Sequence, residues 1–216
     1  MGHSITYSSR LLCLVLLALL RAAPCTAAGW QGCDSCGYCC LHIAVKSNLL
    51  HDAALTPDLG VEIALPHNFS VGIEGVYAWW SNAARHRYWQ IRGGWLDVNY
   101  WFGPAARRGA LMGHHAGIYA SCHDFDFEFG HKGWQSRRPT FGGGASYGYA
   151  FRLNDRLRLD LGVRVGYWGG HVTSYTPRCG RYVCTGRYHR HYAGLTGLAV
   201  TLVWFPGRGN INNPAR

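Results

Sequence analysis

Beyond residue 28, apolar and polar positions alternate in runs of roughly ten residues, the length a tilted strand needs to cross a bilayer. The cleanest run is Leu157-Arg158-Leu159-Asp160-Leu161-Gly162-Val163-Arg164-Val165-Gly166-Tyr167, with apolar side chains at every odd position and only Arg, Asp and Gly between. A period of two sends the two sets to opposite faces of a strand. Leu198, Val200, Leu202 and Trp204 make a second such run, and Phe141, Gly143, Ala145, Tyr147, Tyr149 and Phe151 a third. Marking every run predicts strands over 42–53, 59–66, 69–80, 87–102, 111–127, 140–153, 157–170 and 191–205.

The connections between these strands show a parity. The second, fourth and sixth are tight: Pro66-His67-Asn68, Gly103 to Gly109, and Asn154-Asp155. The third, fifth and seventh are the longer basic segments 81–86, 128–139 and 171–190. Only the first, around Thr56-Pro57-Asp58, breaks the rule. Short turns at one end and long loops at the other predict an all-β, antiparallel, up-and-down transmembrane β-barrel of about eight strands. Aromatic residues sort to both strand ends. Tyr77, Trp79, Trp80, Tyr88, Trp89, Tyr167 and Trp168 fall at the external rim, and Tyr100, Trp101, Phe102, Phe151, Trp204 and Phe205 at the periplasmic one. Two such girdles match the two membrane interfaces.

The N-terminus follows a different pattern. Arg10 precedes the apolar run Leu11 to Leu20, and small residues close the segment at Thr26-Ala27-Ala28. That is the layout of a cleaved signal peptide, residues 1–28, and the run is short for a membrane-spanning helix. A cysteine-rich leader (29–41), the barrel (42–205) and a periplasmic tail (206–216) complete the expected organisation. Composition agrees: charged residues are 15% of the chain, while 29 Gly, 9 Trp and 13 Tyr favour strands and tight turns over helices. The expected location is the bacterial outer membrane.

Candidate chemistry begins on the inward face. Lys46, Glu74, Arg92, Asp97, Asp160 and Arg164 fall on or near it, with Gly93-Gly94 a candidate bulge that would shift the register of the fourth strand. An eight-stranded barrel has room only for its own side chains, so these charges are expected to neutralise one another and leave no solute pore. Cys33, Cys36, Cys39 and Cys40 have spacing that a metal or redox site could use, but an exported protein favours disulfides, and linker drift explains the run equally. Cys179 and Cys184 lie close enough in the last loop for a hairpin disulfide, and Cys122 reads as a packed small hydrophobe. His114 and His115 are the candidate catalytic residues. As strand neighbours they face opposite ways and cannot form one dyad, although one of them could partner Ser121, Asp124 or an acid on strand four. The basic loop residues Arg85, Arg87, Lys132, Arg137, Arg138, Arg187 and Arg190 are expected to contact the phosphates of lipopolysaccharide.

Several stretches carry a family resemblance: Lys46-Ser47-Asn48-Leu49-Leu50-His51-Asp52-Ala53-Ala54-Leu55-Thr56-Pro57-Asp58-Leu59-Gly60-Val61-Glu62, Tyr77-Ala78-Trp79-Trp80, Arg87-Tyr88-Trp89-Gln90, Gly113-His114-His115 and Asp126-Phe127-Glu128-Phe129-Gly130. Over residues 42–205 the chain resembles the small outer-membrane barrels of Bacteroides-type bacteria, a family carried as a domain of unknown function, number 3575. The resemblance implies location and fold, and its members' association with surface-structure and fimbrial loci implies surface-assembly partners. It brings no catalytic residues. The cysteine-rich leader and the tail after Phe205 depart from the family pattern.

Two functions follow as expectations. The first is a non-enzymatic barrel with a structural, surface-assembly or fimbria-accessory role. The second is a barrel enzyme modifying lipid A or phospholipid at the external rim. No metal, cofactor or nucleic acid is expected in either.

Overall fold

In the computed structural model the described residues are 42–82, 87–130, 132–178 and 181–206. The expected signal peptide, the leader with Cys33, Cys36, Cys39 and Cys40, nearly all of the tail, Arg85 and Cys179 lie outside them.

The strands are β1 (His42–Asn48), β2 (Asp58–Ala64), β3 (Phe69–Asn82), β4 (Arg87–Phe102), β5 (Gly113–Phe129), β6 (Lys132–Ser136), β7 (Thr140–Arg152), β8 (Leu157–Arg178) and β9 (Arg181–Trp204). All pairings are antiparallel and belong to one sheet. The sheet closes into a barrel-like ring because β1 pairs with β2 on one side and with β9 on the other, from Val45 opposite Trp204 to Asn48 opposite Thr201. β6 and β7 occupy one place between β5 and β8. Asp126 faces Gln135 in β6 and His123 faces Thr140 in β7, so the ladder slips between them. Among the described residues nine segments therefore fill eight positions of the ring.

Among the described residues the ring has no open edge strand, and closure sorts side chains by parity. In β3, Ser70, Gly72, Glu74, Val76 and Ala78 are buried, while Ile73, Tyr77 and Trp79 are exposed. The same rule holds around the ring. Ile73, Ile118 and Phe141 are 64%, 67% and 63% exposed, whereas Lys46, Glu74 and Asp97 are 7%, 4% and 2% exposed. The usual soluble arrangement is inverted: ionic groups line the inside and an apolar belt covers the outside.

One end of the ring carries the connections Leu65–Asn68, Gly103–Met112 and Leu153–Arg156, and is called the turn end here. A small apolar cluster of Trp101, Leu111, Ala150, Val203 and Phe205 plugs it. Arg158, fully buried, lies over the Phe205 ring at 4.6 Å and donates from Nε to the Ala110 carbonyl at 3.0 Å. Trp101 and Phe205 thus point inward, not into the aromatic rim where the sequence reading set them; Tyr100, Phe102, Phe151 and Trp204 are the exposed rim residues.

Two expected boundaries and one expected bulge are corrected. The first strand stops at Asn48, not at residue 53, because the Asn48 side chain accepts the Leu50 N–H (3.1 Å) and caps a short helix, α1 (Leu49–Ala53). Most of the expected loop 171–190 is strand, with β8 and β9 paired as far as Arg178 opposite Arg181. The stretches Val172-Thr173-Ser174-Tyr175-Thr176 and Tyr182-Val183-Cys184-Thr185 are rich in β-formers. A hairpin needs only its backbone ladder, so the lost apolar alternation concealed it. The bulge expected at Gly93-Gly94 is absent, since β4 keeps one register with β3 and β5 throughout. A register shift falls instead in β9, where Arg164 faces Gly197 and Val165 faces Leu195.

Candidate functional site

The inward charges of neighbouring strands lie close enough to pair. Lys46 Nζ lies 3.4 Å from Glu62 and 3.9 Å from Glu74, and Arg164 lies 3.6 Å from Glu74 and 3.2 Å from Asp97. Strand parity positions each of them: β1, β2, β3, β4 and β8 contribute one residue apiece to the same layer. Gly72 makes room for the lysine, since a Cβ there would stand 3.0 Å from Nζ. Glu62 also accepts from Ser70 Oγ (2.6 Å), which accepts from Trp101 Nε1 (2.8 Å). Asp160 bonds His115 at 2.9 Å instead of joining this network. Arg92 is the exception among the expected interior charges. Without a bulge its even position faces outward, where it pairs with Asp124 at 3.1 Å and lies 6.0 Å from the Trp79 ring centroid.

Toward the other end, here the loop end, the network gives way to histidines and aromatic rings. Asp58, at the first position of β2, is buried; it accepts the Asn48 N–H (2.7 Å) and binds His51 Nδ1 (2.5 Å). α1 carries His51 to this point, and Trp95 of β4 stacks on its ring with centroids 5.4 Å apart. Trp95 also packs on His123 of β5 at 4.3 Å, and the Arg164 guanidinium lies 5.4 Å from the Trp95 centroid. Above them a cavity of about 500 Å³ is walled by aromatic residues such as Phe127, Trp168 and Tyr192, with Arg190 at its edge. His123 Nε2 is buried there without a hydrogen-bond partner among the described residues.

His114 and His115 are divided by the strand, as alternation requires. His114 faces outward among aromatics, bonded to the Tyr147 hydroxyl (2.8 Å) and against Phe102 and Tyr149. His115 is buried against Trp101 at 4.5 Å, with Asp160 on Nε2. Among the described residues neither histidine hydrogen-bonds a Ser, Thr or Cys side chain. Ser121 borders the aromatic cavity, and Asp124 belongs to Arg92.

Arg87, Lys132, Arg137, Arg138, Arg187 and Arg190 are all exposed. They gather at or toward the loop end, with Lys132 lying 5.3 Å from the Trp134 ring centroid. At the hairpin tip a hydrogen bond between Tyr88 and Tyr182 (2.8 Å) pushes the Tyr182 hydroxyl up to about 12. His189 Nδ1 and His191 Nε2 stand 2.6 Å apart on the same hairpin. Cys184 and Cys122 are exposed, so Cys122 is not the packed residue expected.

Sequence reasoning missed His51, Asp58, Glu62 and His123. Asp58 and Glu62 share the even parity of Gly60, so the alternation of β2 carried a signal for their inward aim. His51 carried none, because it reaches the interior only through α1.

A family model for a protein of unknown function (DUF3575) matches residues 15–205. No curated protein matches the chain, and no solved structure does.

Proposed function

The chain belongs to this family of proteins of unknown function, and from its inside-out ring we propose that it is a small outer-membrane β-barrel with a structural, surface-assembly or fimbria-accessory role, exported by a cleaved signal peptide. The observation that carries the reading is the exterior. Ile43, Leu59, Ile73, Leu96, Ile118, Phe141, Leu161 and Leu198 are all exposed, and exposed rings stand at both ends of the belt. An apolar surface of that extent is costly in water and stable in lipid. A closed ring satisfies its own backbone hydrogen bonds, which is what lets strands cross a bilayer.

The interior supports a barrel without a solute pore. Lys46, Glu62, Glu74, Asp97 and Arg164 fill its middle, and the Trp101–Phe205 cluster fills the turn end. The loop end faces outward in this reading, and its arginines and Lys132 face the phosphates of lipopolysaccharide. Raising the salt concentration should weaken binding of the purified protein to lipopolysaccharide; binding indifferent to salt would argue against that contact.

The role is non-enzymatic in this reading. Mass spectrometry of lipid A from cells with and without the protein tests it. Identical acylation is expected. An acyl chain lost or gained in a manner that depends on His114 or His115 would establish the enzyme instead.

A further inference from the structure

His51, Asp58 and Glu74 each place a potential ligand atom within 4.8 Å of the other two. Three elements supply them: α1, the start of β2 and the middle of β3. Asp58 and Glu74 are buried, whereas the His51 side chain is 26% exposed and leaves a path from the loop end.

Two separate observations point to a cation. Glu74 Oε2 is held by Lys46 and Arg164, but Glu74 Oε1 is buried with no hydrogen-bond partner among the described residues. A buried carboxylate oxygen in that state is costly, and a bound cation satisfies it. The charge of the cluster is the second observation. Four carboxylates, Asp58, Glu62, Glu74 and Asp97, meet only two permanent cations, Lys46 and Arg164. Two negative charges stand in excess within a buried layer, and one divalent ion cancels them.

We propose that His51, Asp58 and Glu74 form a binding site for a divalent first-row metal ion, which ties α1 and β2 to β3 at the loop end. One imidazole and two carboxylates form a borderline-to-hard donor set that suits Mn²⁺, Fe²⁺ or Zn²⁺ and leaves positions for water. The Asn48 N–H holds the far oxygen of Asp58, and Trp95 braces the His51 ring, the kind of outer support that orients metal ligands. On binding, the His51–Asp58 hydrogen bond is replaced by a metal bond to each residue, and any proton on the ligating imidazole nitrogen passes to solvent. The site does not depend on the membrane reading above. Its rival is a cluster that stays empty of metal, its charge offset by bound protons.

Electron paramagnetic resonance of Mn²⁺ titrated into the purified full chain, stripped of metal and lipid, separates the two. Carboxylate-rich sites take Mn²⁺, whereas the thiols of the cysteine-rich leader and the His189–His191 pair are poor sites for it. One bound equivalent is expected. Asp58→Asn and His51→Gln should each weaken it about tenfold or more. Ser47→Ala, whose side chain bonds Asp52 beside the cluster (2.8 Å), should leave it unchanged. His51→Gln alters a partly exposed side chain, and a thermal scan of each variant confirms folding. Mn²⁺ should also raise the Tm of the parent protein and not that of His51→Gln. Failure to retain Mn²⁺, or equal affinity in the parent, Asp58→Asn and His51→Gln proteins, overturns the site.

Discussion

Arg164→Met is expected to destabilise the protein by about 3–5 kcal/mol, the usual cost of removing one partner from a buried ionic group. Arg164 faces both Glu74 and Asp97, and its guanidinium also packs against Trp95 and Tyr119. Met keeps much of the packing but leaves two carboxylates short of a cation in a low-dielectric interior. The Asp97→Asn change made on top of it should recover part of the loss, because one stranded charge is then gone. Urea unfolding followed by tryptophan fluorescence measures both. A loss below about 1 kcal/mol for the single variant, the range of exposed pairs, would mean that water reaches this layer.

Ile73→Arg has the second large effect, and its size depends on what surrounds the ring. Ile73 lies mid-strand in β3, between Val61 of β2 and Leu96 of β4, with its side chain on the outer face. If that face meets lipid, an arginine near the midplane costs about 2–4 kcal/mol, falling to about 0–1 near the interfaces. Tyr100→Arg, at the turn-end rim, should therefore cost much less than Ile73→Arg. If the face meets water, both are ordinary surface substitutions within about 0.5 kcal/mol. Unfolding in lipid vesicles gives the comparison.

Much of the ring was legible in the sequence because one physical rule governs it. The run from Leu157 to Tyr167 states its two faces residue by residue, and β8 follows it in unbroken register with β7 from Arg158 to Tyr167. The tight turns at Pro66-His67-Asn68 and Asn154-Asp155 were equally plain, since each interrupts alternation with turn-forming residues. What stayed hidden lies where alternation is not the governing force. α1 forms because the Asn48 side chain captures a backbone N–H, a local event inside an apolar run. The outer part of the β8–β9 hairpin mixes apolar and polar side chains without strict alternation, so no period-two pattern marks it. Arg92 was misplaced because two adjacent glycines suggested a bulge, whereas the ladders on both sides of β4 hold their register through Gly93.

The candidate site was legible to a smaller degree. Lys46, Glu74, Asp97 and Arg164 could be placed inside by counting parity, and that counting does not depend on which strand lies opposite which. Their pairing does depend on it, as do the roles of Asp58 and Glu62. The 2.5 Å contact between His51 and Asp58 joins a residue of α1 to the first residue of β2. The capped helix and the turn that follows it set that distance.

The most direct test of the membrane-barrel claim is electrophoretic mobility of the protein extracted from the outer-membrane fraction, loaded with and without boiling. A closed barrel resists detergent at room temperature and unfolds on heating, so the unboiled sample should run faster than the boiled one. Protein recovered wholly in the soluble fraction, with one mobility before and after boiling, would contradict it.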